Sequence, residues 1–230
     1  MHIVSLHRFP VKAMGGEDLD AVRVDGRGLA YDRAFAVLDR DGMFAAGKRG
    51  SRWRPHEAIF GFSATVRDDA VVVARGDAAW AAGSSGLDAE LSAATGESMR
   101  VAAETPGETD FFDAKPVSIV GTATLDWCRE ELGADADPRR LRVNVVVETD
   151  EPFVEETWIG SRMGLGDVAL DVVKRNTRCR VIDQAQNGVA ERTRWLKPLG
   201  DRRDGCVAVY ATVATPGTLA VGDPVAPLTA

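Results

Sequence analysis

The decapeptide KRNTRCRVID, Lys174 to Asp183, holds the most suggestive chemistry in the chain. Cys179 sits between Arg178 and Arg180, with Lys174 and Arg175 just upstream. Cations beside a thiol favour its thiolate, the form that attacks an electrophile or binds a soft metal. The same letters also fit a plain cysteine at the end of a strand whose arginines point at solvent. Cys128 reads as core, at helical spacing from Leu125 and Leu132, and Cys206 as structural, alternating with Ala208 and Tyr210. Three cysteines without a CxxC pair make no disulfide framework and fit a reducing compartment.

Several chemistries are excluded by what is missing. His2, His7 and His56 are the only histidines, and none has zinc-ligand spacing to a cysteine. An iron–sulfur cluster usually takes four cysteines. There is no GxSxG elbow, no GxGxxG turn and no GxxxxGK[ST] loop.

Basic residues recur beside turns. Lys12 lies in RFPVKAMGG, and Arg33 follows Asp32 in YDRAF, read as part of a strand. Lys48, Arg49, Arg52 and Arg54 crowd the loop AAGKRGSRWRP. Lys and Arg among loop amides suit a phosphate or other anion, although each alone also fits a solvated surface charge. In RRLRVNVVVE, read as a strand, Arg142 and Asn144 stand two apart and share a face. That face suits either a polar ligand or the solvent side of an edge strand.

These residues need a frame. The chain has 230 residues, 45% apolar and 27% charged, which describes a globular protein with a sizeable core. A net charge of −7 argues against nonspecific nucleic-acid or anionic-membrane binding. MHIVSLHRFPVK lacks the pattern of a signal peptide, and no apolar run approaches the ~20 residues of a membrane span. The expectation is a cytoplasmic protein with neither nucleic acid nor membrane as partner.

Alternation predicts strands in HIVSLHRF, LDAVRVD, YDRAFAVLD, VSIV, CVAVYATV and GTLAVGDPV. DRDGM supplies a hairpin turn, and RDD joins two further strands in AIFGFSATVRDDAVVVARG. SSGLDAELSAATGES and TATLDWCREEL predict amphipathic helices, the second capped by Thr122 or Thr124 and ended by Gly133. The fold class is mainly β (α+β).

The order FPVK, YDRAF, LDRDGMF, GKR, RLRVNVVV, PFVEETWIG, MGLGDVALDVVKRNTRCRVID and GTLAVGDPV resembles the MOSC domain proteins that carry a MOSC N-terminal β-barrel domain. Mitochondrial amidoxime-reducing components and bacterial counterparts belong there. The resemblance spans nearly the whole chain and is most specific from Arg139 to Asp183. It implies a β-barrel-like domain at 1–90 packed on a MOSC β-barrel with short helices at 100–228. It implies a molybdenum–pterin (molybdopterin) cofactor whose metal is bound by Cys179. Carried over residue by residue, it gives Lys12, Arg33, Lys48, Arg49, Arg142, Asn144, Thr177, Arg178 and Tyr210 as cofactor-binding positions.

The implied activity is reduction of N-hydroxylated or related small molecules, fed by a separate electron-donor protein. The alternative is a cofactor carrier or persulfide-transfer module without turnover. Three departures stand out. Ala13 replaces a serine, Val143 replaces a proline, and Thr122 falls where the amidoxime reducers are expected to carry an aspartate near the metal.

Overall fold

The computed structural model describes residues 1–105, 111–186, 188–189 and 193–228. Strands dominate, as the alternation requires, and they form four sheets. The largest has eight strands in the order Val225–Pro227, Arg162–Leu165, Val168–Thr177, Cys206–Thr215, Val117–Gly121, Val145–Val147, Ile3–Arg8, Glu17–Leu19. The sheets are open, so among the described residues neither expected barrel closes.

Two N-terminal segments are laid into the sheets of the second half. Ile3–Arg8 pairs antiparallel with Val145–Val147, and Ala21–Asp25 pairs with Gly217–Ala220. Alternate residues of these strands (Ile3, Val22, Val24, Val145, Val147, Leu219) enter one apolar core with Ile119, Leu170 and Val209. Residues from Phe35 to Ala103 build a four-stranded and a three-stranded sheet. A second core of Val11, Met14, Ile59, Phe60, Phe62, Leu87 and Leu91 fills the space between them.

The helices start and stop where local chemistry dictates. Ser85–Thr95 opens on Ser84, whose hydroxyl accepts from Leu87 N, and closes on left-handed Gly96. Thr122–Leu132 closes on Gly133 as expected, but its N-cap is Gly121, with no side-chain cap. Thr122 and Thr124 are engaged elsewhere. Thr122 Oγ1 donates to Thr149 O and accepts from Thr149 N, while Thr124 Oγ1 donates to buried Glu155.

Two strand expectations are corrected. RRLRVNVVVE is not one strand, because Asp137 caps Arg139 N and Pro138 starts a short helix, Pro138–Leu141. Arg142 ends that helix at φ +54°, and the strand begins only at Val145. In YDRAF, Tyr31 and Arg33 have φ of +66° and +50°, so this is a turn leading into strand Phe35–Asp39.

That turn delivers Asp32 into the interior. Its carboxylate is fully buried and accepts from Phe9 N at 2.7 Å, Asn144 Nδ2 at 3.1 Å and Arg33. Asn144 also donates to His7 O at 3.3 Å, and its Oδ1 accepts from Ser118 N and Ser118 Oγ at 3.1 and 2.9 Å. Segments around residues 8, 32, 118 and 144 are thereby fixed together. Asp32→Ala strands the Phe9 amide, the Asn144 amide and a guanidinium. The expected loss is about 3 kcal/mol, read from urea denaturation.

Candidate functional site

The residues fixed by Asp32 frame a cavity of about 730 Å³, its open mouth included. It is lined by Lys12, Arg33, Lys48, Arg142, Asn144, Arg178, Cys179 and Tyr210, eight of the positions named from the sequence. Arg49 and Thr177 do not line it. Arg49 is exposed on the loop after Lys48. Thr177 is exposed as well, and its hydroxyl lies 3.5 Å from Cys206 Sγ. The wall also contains Asp113, Lys115, Ser118 and Asn176, which sequence reasoning missed. Asp113 and Lys115 follow a turn-rich stretch with no periodicity, so nothing in the pattern singled them out.

Among the described residues six cations line the cavity (Lys12, Arg33, Lys48, Lys115, Arg142 and Arg178) against one carboxylate, Asp113. In a chain of net charge −7 this is a local reversal of sign. The backbone is strained to build it. Ala13, Arg33 and Arg142 are non-glycine wall residues with φ of +70°, +50° and +54°. Such conformations cost about 1 kcal/mol or more each and persist where the surroundings impose them.

Cys179 is half-buried and precedes the short 3₁₀ turn Arg180–Asp183. Its flanking arginines part ways. Arg178 turns inward and donates to Leu141 O, whereas Arg180 is exposed beside Glu57 at 3.3 Å. Lys174 sits over the Tyr210 ring at 6.0 Å.

The inner cations are held by backbone oxygens. Arg33 donates to Arg142 O at 2.9 Å and Arg142 to Met14 O, and both lie against the Phe9 ring at 4.8 and 4.4 Å. Burial and the nearby Arg33 pull Arg142 down to about 9, still charged at neutral pH. Burial also lowers Arg178 and raises the Tyr210 phenol. Among the described residues Arg142 Nη2 and Arg178 Nε are buried without a hydrogen-bond partner. Unpaired donors in a basic cavity are poised for an anion.

Asn144 does something other than expected. Its two donors go to His7 O and Asp32, and its oxygen is taken by Ser118, so its amide is spent on the fold. It positions the wall and keeps no donor for a ligand.

Toward the mouth, Lys12 Nζ donates to Phe111 O at 2.7 Å and to Asp113 Oδ1 at 3.1 Å, and Lys48 reaches the same oxygen at 3.1 Å. Burial lowers Lys12. Burial opposes ionisation of Asp113, but the two lysines outweigh it and hold its carboxyl well below the usual range. The Lys12–Asp113–Lys48 bridge therefore stabilises the fold above the ordinary carboxylate pKa and is lost only as pH falls through the depressed one. Thr122, where an aspartate was sought, does not line the cavity and closes a contact with Thr149 instead. Among the described residues the cavity carboxylate is Asp113.

A cationic cavity with one accessible thiol, at the seam of two β units, suits an anionic ligand that also binds sulfur. Comparison with known proteins gives that class a family. The MOSC domain matches residues 106–226 and the MOSC N-terminal beta barrel domain residues 1–113, so the chain belongs to the MOSC family. It is 26% identical over 140 residues to mitochondrial amidoxime-reducing component 1 of Mus musculus. That match covers 55% of this chain and 41% of the mouse protein, so the chain spans less than half of its relative.

Among solved structures, the YUAD protein from Bacillus subtilis superposes with a TM-score of 0.49 at 15% identity, over 97% of this chain and 92% of that one. YiiM from Geobacillus stearothermophilus gives 0.39 at 14% identity over 50% and 55%.

MOSC domains are associated with the molybdenum cofactor. The wall fits such a group. Among the described residues no cluster of three or more His, Cys, Asp or Glu could hold a bare metal ion. The unpaired Arg142 and Arg178 nitrogens suit a phosphate, and one thiol suits a soft metal.

Because Asp113 bridges two of the cations and offsets one positive charge, its removal strengthens the cavity's pull on anions. Asp113→Asn in cofactor-free protein is expected to bind pyrophosphate about fivefold more tightly by calorimetry, about 1 kcal/mol for one neighbouring charge.

Proposed function

We propose that the chain binds a molybdenum–pterin cofactor in this cavity through Cys179. We further propose that it reduces N-hydroxylated or related N-oxygenated small molecules. The observation that carries the reading is the placement of one half-buried thiol against six cations, two of them with unpaired buried nitrogens. The reaction type leans on the likeness to a protein named as an amidoxime-reducing component.

When bound, the cofactor supplies a metal that exchanges an oxygen atom and two electrons. The chain's own residues do the rest. Cys179 Sγ would hold the metal. Arg142, Arg178 and Arg33 hold the anionic end of the cofactor by charge and N–H donation. Reduction of an N-hydroxy group follows R–NHOH + 2 e⁻ + 2 H⁺ → R–NH₂ + H₂O, so protons must be delivered. Lys12 Nζ, lowered by burial and bonded to ionised Asp113, is placed to give one and regain it from solvent at the mouth.

The missing carboxylate at Thr122 leaned toward the carrier alternative; the carboxylate of Asp113 in the cavity wall leans the other way. Electrons come from a separate partner protein. Free Cys128, Cys179 and Cys206 support a reducing compartment, and the cytoplasm is the location we adopt. Among the described residues no helix is long and apolar enough to cross a membrane.

Cys179→Ala tests the assignment. It is expected to melt within a few degrees of wild type and to retain little molybdenum when made in a cofactor-synthesising host. Full metal retention would remove Cys179 as ligand. Turnover of N-hydroxy substrates with a reduced dye by the loaded wild type separates an enzyme from a carrier.

A further inference from the structure

Strand Val168–Thr177 pairs with Cys206–Thr215, with Arg175 opposite Val209 and Thr177 opposite Cys206. Between those pairs the register shifts, so Asn176 faces two residues, Val207 and Ala208, in place of one. Ala208 is fully buried at φ +74°, the kind of strain a bulge imposes. The bulge re-aims the strand. Thr177 goes to the surface and Asn176 goes to the cavity wall.

Asn176 is 1% exposed, and its Oδ1 is buried with no hydrogen-bond partner. Its side-chain amide makes no hydrogen bond among the described residues. A buried amide oxygen without a donor destabilises the fold that contains it. In Asn144, by contrast, every amide position is satisfied by the protein. The amide of Asn176 is open to a ligand.

Depth and chemistry decide which ligand. The side chains of Asp113 and Lys48 are 49% and 25% exposed and mark the mouth, where a substrate enters and leaves. Asn176 belongs with the buried part, which a resident group fills. The arginines there only donate, which suits a phosphate. An amide offers an acceptor beside donors and matches a ring edge that presents N–H next to a carbonyl or ring nitrogen. A pterin has such an edge.

We propose that Asn176 hydrogen-bonds the polar edge of the pterin and holds the cofactor in place, an assignment that rests on the cofactor reading above. The test compares wild type, Asn176→Leu and Asn176→Ala from a cofactor-synthesising host. Bound pterin is measured by fluorescence after oxidation, following exhaustive dialysis, and thermal midpoints are measured on cofactor-free protein. Both variants are expected to lose pterin about tenfold relative to wild type. Their cofactor-free forms are expected to melt at or above the wild-type midpoint, because the unpaired amide is gone.

Pterin retention equal to wild type overturns the proposal, and so does pterin loss accompanied by a clearly lowered midpoint, which makes Asn176 structural. If the leucine variant fails to fold, the alanine variant decides alone. Wild type without pterin overturns the cofactor reading itself, and the Asn176 assignment with it.

Discussion

The Asp32 carboxylate is the constraint on which the site depends. It is fully buried, and it accepts from a backbone amide near the N-terminus, from Asn144 in the second half and from Arg33 beside it. A buried carboxylate is tolerated only when its lone pairs are filled, so these groups are locked in one arrangement. Asn144 carries the lock on to Ser118 and His7. Arg33 and Arg142 are consequently both held against the Phe9 ring, like charges brought close by the fold.

That closeness has a use. Burial first, and then the charge of neighbouring guanidiniums, lowers the affinity of Arg142 and Arg178 for their protons. Left-handed backbone at Ala13, Arg33 and Arg142 adds strain to repulsion. An anion relieves the repulsion, and a fold that keeps both costs in one cavity is organised for that anion. Asp113 offsets the outer lysines, which leaves the deep cations as the stronger anion site.

Much of this was legible in the chain. The period-two strands, the Asp-Gly hairpin, the helix ended by Gly133 and the core position of Cys128 follow from local rules. What was not legible depends on long-range geometry. Arg142 and Asn144 were placed on one strand face, yet a proline-started turn separates their roles. Thr177 and Asn176 exchange inside and outside because of a one-residue bulge, which alternation cannot reveal. Asp113 lies in a stretch without periodicity, and only the folded chain shows it between Lys12 and Lys48. Thr122 was sought as the site's missing acid and is instead a helix-end contact.

The central claim is that this cationic, single-thiol cavity holds a molybdenum–pterin cofactor. The most direct measurement is molybdenum by plasma mass spectrometry together with oxidised-pterin fluorescence, on wild-type protein purified from a host that makes the cofactor. The account expects close to one molybdenum and one pterin per chain. Folded protein carrying neither would contradict it and leave Cys179 a thiol without a metal.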